Sequence, residues 1–203
     1  MKKALFTVVS IAVFSVAITT VSCRRHIAPD YNGSVRAGHP RLFVTKEDIP
    51  NIKSTAQTSA HDIYLQTKES IDKLLNEPIS FPNPTAVNGT ENGWIISRVS
   101  QVAMLYLITG EKKYLDYTKK FLQKITEYYQ LRIDHNLNAD WYVFPQINTL
   151  CAYDWIYDDL TKDEREKIGK PLYRVMMDIA WHGDGLRPKR IRENTGGYDT
   201  GFY

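Results

Sequence analysis

The stretch from Arg187 to Tyr203 gathers more groups capable of chemistry than any other part of this 203-residue chain. Arg187, Lys189, Arg190 and Arg192 fall within six residues, and Glu193-Asn-Thr-Gly-Gly-Tyr-Asp-Thr-Gly-Phe-Tyr203 follows. Guanidinium forks hold carboxylate or sulfate through paired hydrogen bonds. Asn194 can donate a hydrogen bond to a carboxylate, and the rings of Tyr198 and Tyr203 can stack on sugars. Arg190, Arg192, Tyr198 and Tyr203, with Arg98 and Trp141 further upstream, form the candidate substrate-binding set. The plainer alternative for this segment is a solvated basic turn.

Other polar clusters offer less. Asp134-His-Asn136-Leu-Asn138-Ala-Asp140 imitates the start of a calcium loop, but Ala139 stands where such loops need Gly and Pro145 where they need Glu. The five histidines are scattered and make no ligand pair of the HExxH kind, so neither metal nor cofactor is expected. Asp154, Asp158 and Asp159 could supply a glycosidase carboxylate pair, although acids at a helix turn are commonly caps. Cys151 lies in the apolar run Thr149-Leu-Cys-Ala-Tyr153 and reads as a small buried hydrophobe rather than a nucleophile.

The elements that must position these groups all read as helices. Thr45-Lys-Glu-Asp48 is close to a capping box, with a short helix expected after Pro50 and a longer one from His61 to about Asn76. Pro78, Pro82 and Pro84 enforce a loop. Gly93 to Thr109 is apolar nearly all round in its C-terminal half, which predicts burial there. Gly110 caps it, and a second helix runs from Glu111 to about Tyr129, with lysines on its outer face. The arrangement recurs: Trp141 to Tyr157 as a buried helix, a turn at Asp158–Leu160, then a helix capped by Thr161-Lys-Asp-Glu164 and running to about Trp181. Leu105 and Ile147 are expected in the core. Short turns make each pair antiparallel. The expected fold class is all-α, a partial α/α toroid of helical hairpins; a plain helical bundle gives almost the same pattern.

Composition supports a folded domain: 43% hydrophobic, 24% charged, 11 Gly and 9 Pro exclude a disordered tail or a fibre. Lys2 and Lys3 precede an apolar or small run to Ser22, a secretory signal pattern, and Thr20-Val-Ser-Cys23 resembles a lipobox without its usual Leu. The expectation is cleavage before Cys23, lipidation of Cys23 and export as an outer-membrane or periplasmic lipoprotein, with residues 23–40 as a tether and 41–203 as the domain. An uncleaved membrane anchor is the alternative. Cleavage removes two lysines and lowers the net charge from +3 to +1, too little for a nucleic-acid partner.

Three segments carry a family resemblance: His39-Pro-Arg-Leu-Phe-Val-Thr-Lys-Glu-Asp-Ile49, Met104-Leu-Tyr-Leu-Ile-Thr-Gly-Glu-Lys-Lys-Tyr114, and Ala152-Tyr-Asp-Trp-Ile-Tyr-Asp-Asp-Leu-Thr-Lys-Asp-Glu-Arg165. Together they resemble the heparinase II/III-like polysaccharide lyases over about residues 39 to 203. The resemblance implies an N-terminal α/α toroid and β-elimination on uronic-acid polysaccharides. A donor neutralises the uronate carboxylate, a Tyr or His base takes the C5 proton and a Tyr acid protonates the leaving O4. Asn194 is the carboxylate neutraliser this resemblance implies, although no His adjoins it. The implied partner is an anionic polysaccharide. The base and acid are expected beyond residue 203, which makes the chain alone an incomplete enzyme. A glycoside hydrolase on the same toroid and a non-catalytic glycan-binding lipoprotein are the competing readings.

Overall fold

The computed structural model describes residues 37–86, 94–135, 137 and 143–182. The signal segment, Cys23, Trp141 and every candidate from Arg187 to Tyr203 lie outside these residues, as does most of the calcium-like stretch. A compact unit begins at Ala37. Among the described residues every regular element is helical: α1 (Ile49–Gln57), α2 (His61–Leu74), α3 (Trp94–Thr109), α4 (Lys112–Asp134) and α5 (Val143–Trp155). The last element, α6, joins Lys162–Glu164, a π-helical Arg165–Gly169 and Lys170–His182. No described helix is long and apolar enough to cross a membrane.

Local chemistry explains most boundaries. Asp48 accepts from both the backbone N–H and the hydroxyl of Thr45, each at 2.8 Å, which closes the turn before α1. Thr161 and Glu164 complete a full capping box at α6. Gly110 takes φ +71°, a backbone region costly for any residue with a Cβ, so the chain reverses there with only Gly110 and Glu111 between α3 and α4. Pro171 sits one residue into the final stretch of α6 and cannot donate to the preceding turn; the π segment immediately before it is where the helix adjusts. Helix α4 continues to Asp134, five residues past Tyr129, because its buried stripe extends through Arg132.

Helix α3 is the hub and touches α1, α2, α4 and α5, with α3–α5 the most extensive interface. Ile96, Val99, Val102 and Ala103 are fully buried, and Leu105 is 1% exposed. Helix α4 contributes Tyr114, Phe121, Leu122, Ile125 and Tyr129, and α6 contributes Ile168, Leu172 and Val175. Two expectations of burial need correcting. The C-terminal half of α3 keeps Tyr106, Leu107 and Ile108 only half-buried, since a cleft of about 400 Å3 opens beside Leu105 and Ile108 against α1 and α2. On α5, Phe144 is 58% exposed and Ile147 half-buried. No described element covers that face.

Side-chain links set helix directions. Lys119, in the first half of α4, donates to Asp159 O and to Glu164, beyond the C-terminus of α5 and at the start of α6. Arg132, near the end of α4, donates to the carbonyls of Pro84 and Ala86, before α3 begins. Helices α3 and α5 therefore run one way, and α4 and α6 the other. One end of the bundle holds the N-termini of α3 and α5; the other holds Gly110, Trp155 and Thr161.

Candidate functional site

At the Gly110 end, a strap formed by residues 39–45 is clamped by one carboxylate. Asp154, 3% exposed, accepts from His39 Nδ1 (2.5 Å) and from the backbone N–H groups of Arg41 (2.7 Å) and Leu42 (2.8 Å). Trp155 Nε1 donates to Leu42 O at 2.8 Å. The His39 ring stacks on Tyr157 at 3.8 Å, and the Arg165 guanidinium lies 4.3 Å from the centre of the same Tyr157 ring. A carboxylate out of water must be compensated, and here the strap's own N–H groups do so. Lys46 pairs with Asp158 at 2.7 Å, and this hydrogen bond holds the Asp158 carboxyl below the usual range. Burial, reinforced by Asp159, pushes the Tyr106 phenol up to about 12. The three acids are thus occupied in holding segments together, and Asp154 is buried rather than a solvated cap. Cys151 is 4% exposed, buried as the sequence suggested, and burial raises its thiol to about 11.

The opposite end is built differently. Trp94 opens α3 and is 56% exposed, and Arg98 lies one turn further on the same face. Together with Ser80, Phe81, Pro82 and Ile95 they line a cleft of about 520 Å3. Arg98 Nη2 donates to Ser70 Oγ on α2 at 2.5 Å, which fixes the guanidinium. The loop that supplies Phe81 and Pro82 is pinned in turn by Arg132, 1% exposed, through the carbonyls of Pro84 and Ala86. In the first turns of α3 and α5, Ser97 Oγ and Gln146 Oε1 are buried without a hydrogen-bond partner among the described residues. Polar groups of that kind are uncommon in a buried core.

Of the candidate substrate-binding residues, Arg98 alone is described, and it lies in this cleft. Sequence reasoning passed over Trp94, whose only signal was an aromatic directly after Gly93 at a helix start. It also passed over Arg132, and it read Asp154 as a catalytic acid or a solvated cap, since burial of a charged side chain cannot be seen in a linear pattern.

No family model matches the chain. An exo-oligoalginate lyase of Saccharophagus degradans is 26% identical over 162 residues, covering 68% of this chain. The similarity is to a polysaccharide lyase. The match takes in 21% of that enzyme, so the chain spans about a fifth of the curated relative's length.

Proposed function

We propose that the chain is the N-terminal helical portion of an exported polysaccharide lyase of the heparinase II/III-like kind, acting on uronic-acid polymers by β-elimination. The observation that carries this reading is the similarity to an exo-oligoalginate lyase. The Asp154 clamp supports it: two of the three motif segments, separated by more than 100 residues in sequence, dock on each other through Asp154 and Trp155. On this reading α3–α4 and α5–α6 are successive hairpins of an α/α toroid. The substrate lies at the end where α3 and α5 begin, which is also the end toward which α6 runs before the Arg187–Tyr203 stretch. Asn194 neutralises the uronate carboxylate and so acidifies the C5 proton, while Arg190, Arg192, Tyr198, Tyr203, Trp141 and Arg98 hold the polymer. Cys23 carries lipid and tethers the domain to a membrane.

The test is incubation of the purified chain with alginate, heparan sulfate and hyaluronan, following both binding and the ultraviolet absorbance of an unsaturated uronate product. Elimination needs a base and an acid beyond the groups named here, so the expected result is binding that weakens as salt rises, without product. New reducing ends without unsaturation would replace the lyase with a hydrolase. Equal binding of neutral glycans would favour a general glycan-binding protein. For the anchor, Cys23→Ala is expected to release the protein from the membrane fraction; an intact N-terminus that stays membrane-bound would refute lipidation.

A further inference from the structure

We infer that the cleft between Trp94, Arg98 and the Phe81–Pro82 loop is a subsite for a single uronate unit of the polymer, with Trp94 stacking on the sugar ring and Arg98 gripping its carboxylate. The inference rests on the polysaccharide reading above and gives it a place on the described residues. A pyranose presents an apolar face of C–H groups and a rim of hydroxyls, so it needs a flat aromatic surface beside polar donors. A uronate adds one carboxylate, which a guanidinium matches in both shape and charge. The cleft offers these together. Trp94 exposes more than half of its surface at the first position of α3, and Arg98 lies one helical turn away on the same side. The Ser70 hydroxyl fixes Arg98 from α2, and Phe81 and Pro82 close the apolar wall. Because Arg98 is held before the ligand arrives, little ordering of its side chain remains to be done on binding. A volume of about 520 Å3 sits within the range of small-ligand sites. Of the other clefts, the one lined by Ile52, Ala56, Tyr64 and Leu105 contains no charged group, and the two beside Asp72 carry carboxylates of their own, Asp116 in one and Glu69 in the other, that oppose an anion.

The experiment uses the whole chain and an alginate trisaccharide, with its carboxyl-reduced neutral counterpart as the second probe, measured by calorimetry. Trp94→Ala and Arg98→Gln are each expected to weaken the acidic trisaccharide on the order of tenfold, the size of one charged hydrogen bond or a lost stacking surface. Trp94→Phe should retain most of the affinity. Arg98→Lys should fall between, since it keeps the charge and loses the fork. Ser70→Ala should weaken binding by a smaller factor, because it frees Arg98 without removing it. Lys124→Gln removes the same charge from the outer face of α4, away from the cleft, and should bind like the parent. For the neutral counterpart the Arg98 variants should equal the parent, while Trp94→Ala still weakens. Circular dichroism of each variant confirms the fold, and Trp94→Phe and Ser70→Ala keep the question decidable if Arg98→Gln unfolds. A parent that binds the acidic trisaccharide while Trp94→Ala and Ser70→Ala bind it equally well overturns the subsite and leaves the lyase reading standing. A folded parent that binds no uronate overturns both.

Discussion

Asp154 holds the strap through two backbone N–H groups and His39, so its removal leaves donors buried without acceptors. Asp154→Ala is expected to cost about 3 kcal/mol, and His39→Ala about 1 kcal/mol because the two backbone bonds survive. Urea denaturation of the two variants checks the order; equal losses would mean that the ring, and not the backbone, carries the clamp. Asp72 behaves differently, being partly exposed. Burial opposes its charge, but hydrogen bonds from Lys68 (2.7 Å), Lys113 (2.9 Å) and the Tyr114 hydroxyl (2.8 Å) outweigh this and hold the carboxyl well below the usual range. A carboxyl lowered in the folded state stabilises the protein above its unfolded value near 3.9, and the contribution fades as pH falls toward the folded value. Asp72→Asn is therefore expected to lose about 1 kcal/mol at neutral pH, a modest figure because solvent screens the cluster. The gap to the parent should narrow as pH drops below about 4. A gap independent of pH would show that the site acts through packing alone.

At the scale of elements, α6 carries the most specific constraint. A Cβ on Gly169, the last residue of the π segment, would lie 2.2 Å from the Tyr153 hydroxyl of α5. The absence of a side chain thus lets the two helices approach. Gly169→Ala is expected to destabilise by about 1–2 kcal/mol even though Ala is the better helix former, because overpacking outweighs propensity. Pairing it with Tyr153→Phe, which removes the clashing oxygen, should recover part of the loss in a double-mutant cycle by thermal melting. Additive losses would place the cost in the π-helical backbone instead.

Across the described residues, stability concentrates around α3, and α3 and α5 are not equivalent. Leu105→Asp puts an unpaired charge at a position 1% exposed and is expected to cost more than about 4 kcal/mol, or to prevent folding. Ile147→Asp, on the half-buried face of α5, is expected to cost roughly 1–2 kcal/mol. Melting temperatures separate the two cases. A loss at Ile147 equal to that at Leu105 would mean that a further surface covers α5.

The sequence by itself determined the helical class, nearly all the helix boundaries and the antiparallel order of the hairpins. Those features are local: the apolar period, the Thr161–Glu164 box and the Gly110 reversal act over one or two turns. It also exposed the similar segments around His39 and Asp154, without saying why they belong together. Only the tertiary structure decided that Asp154 clamps the strap, that Arg132 is buried to pin a loop, and that Trp94 and Arg98 share a cleft with Phe81. Each of these depends on contacts between residues far apart in the chain. Burial of a charge, or exposure of an aromatic, is a property of what another segment brings to it. No spacing within a single segment records that.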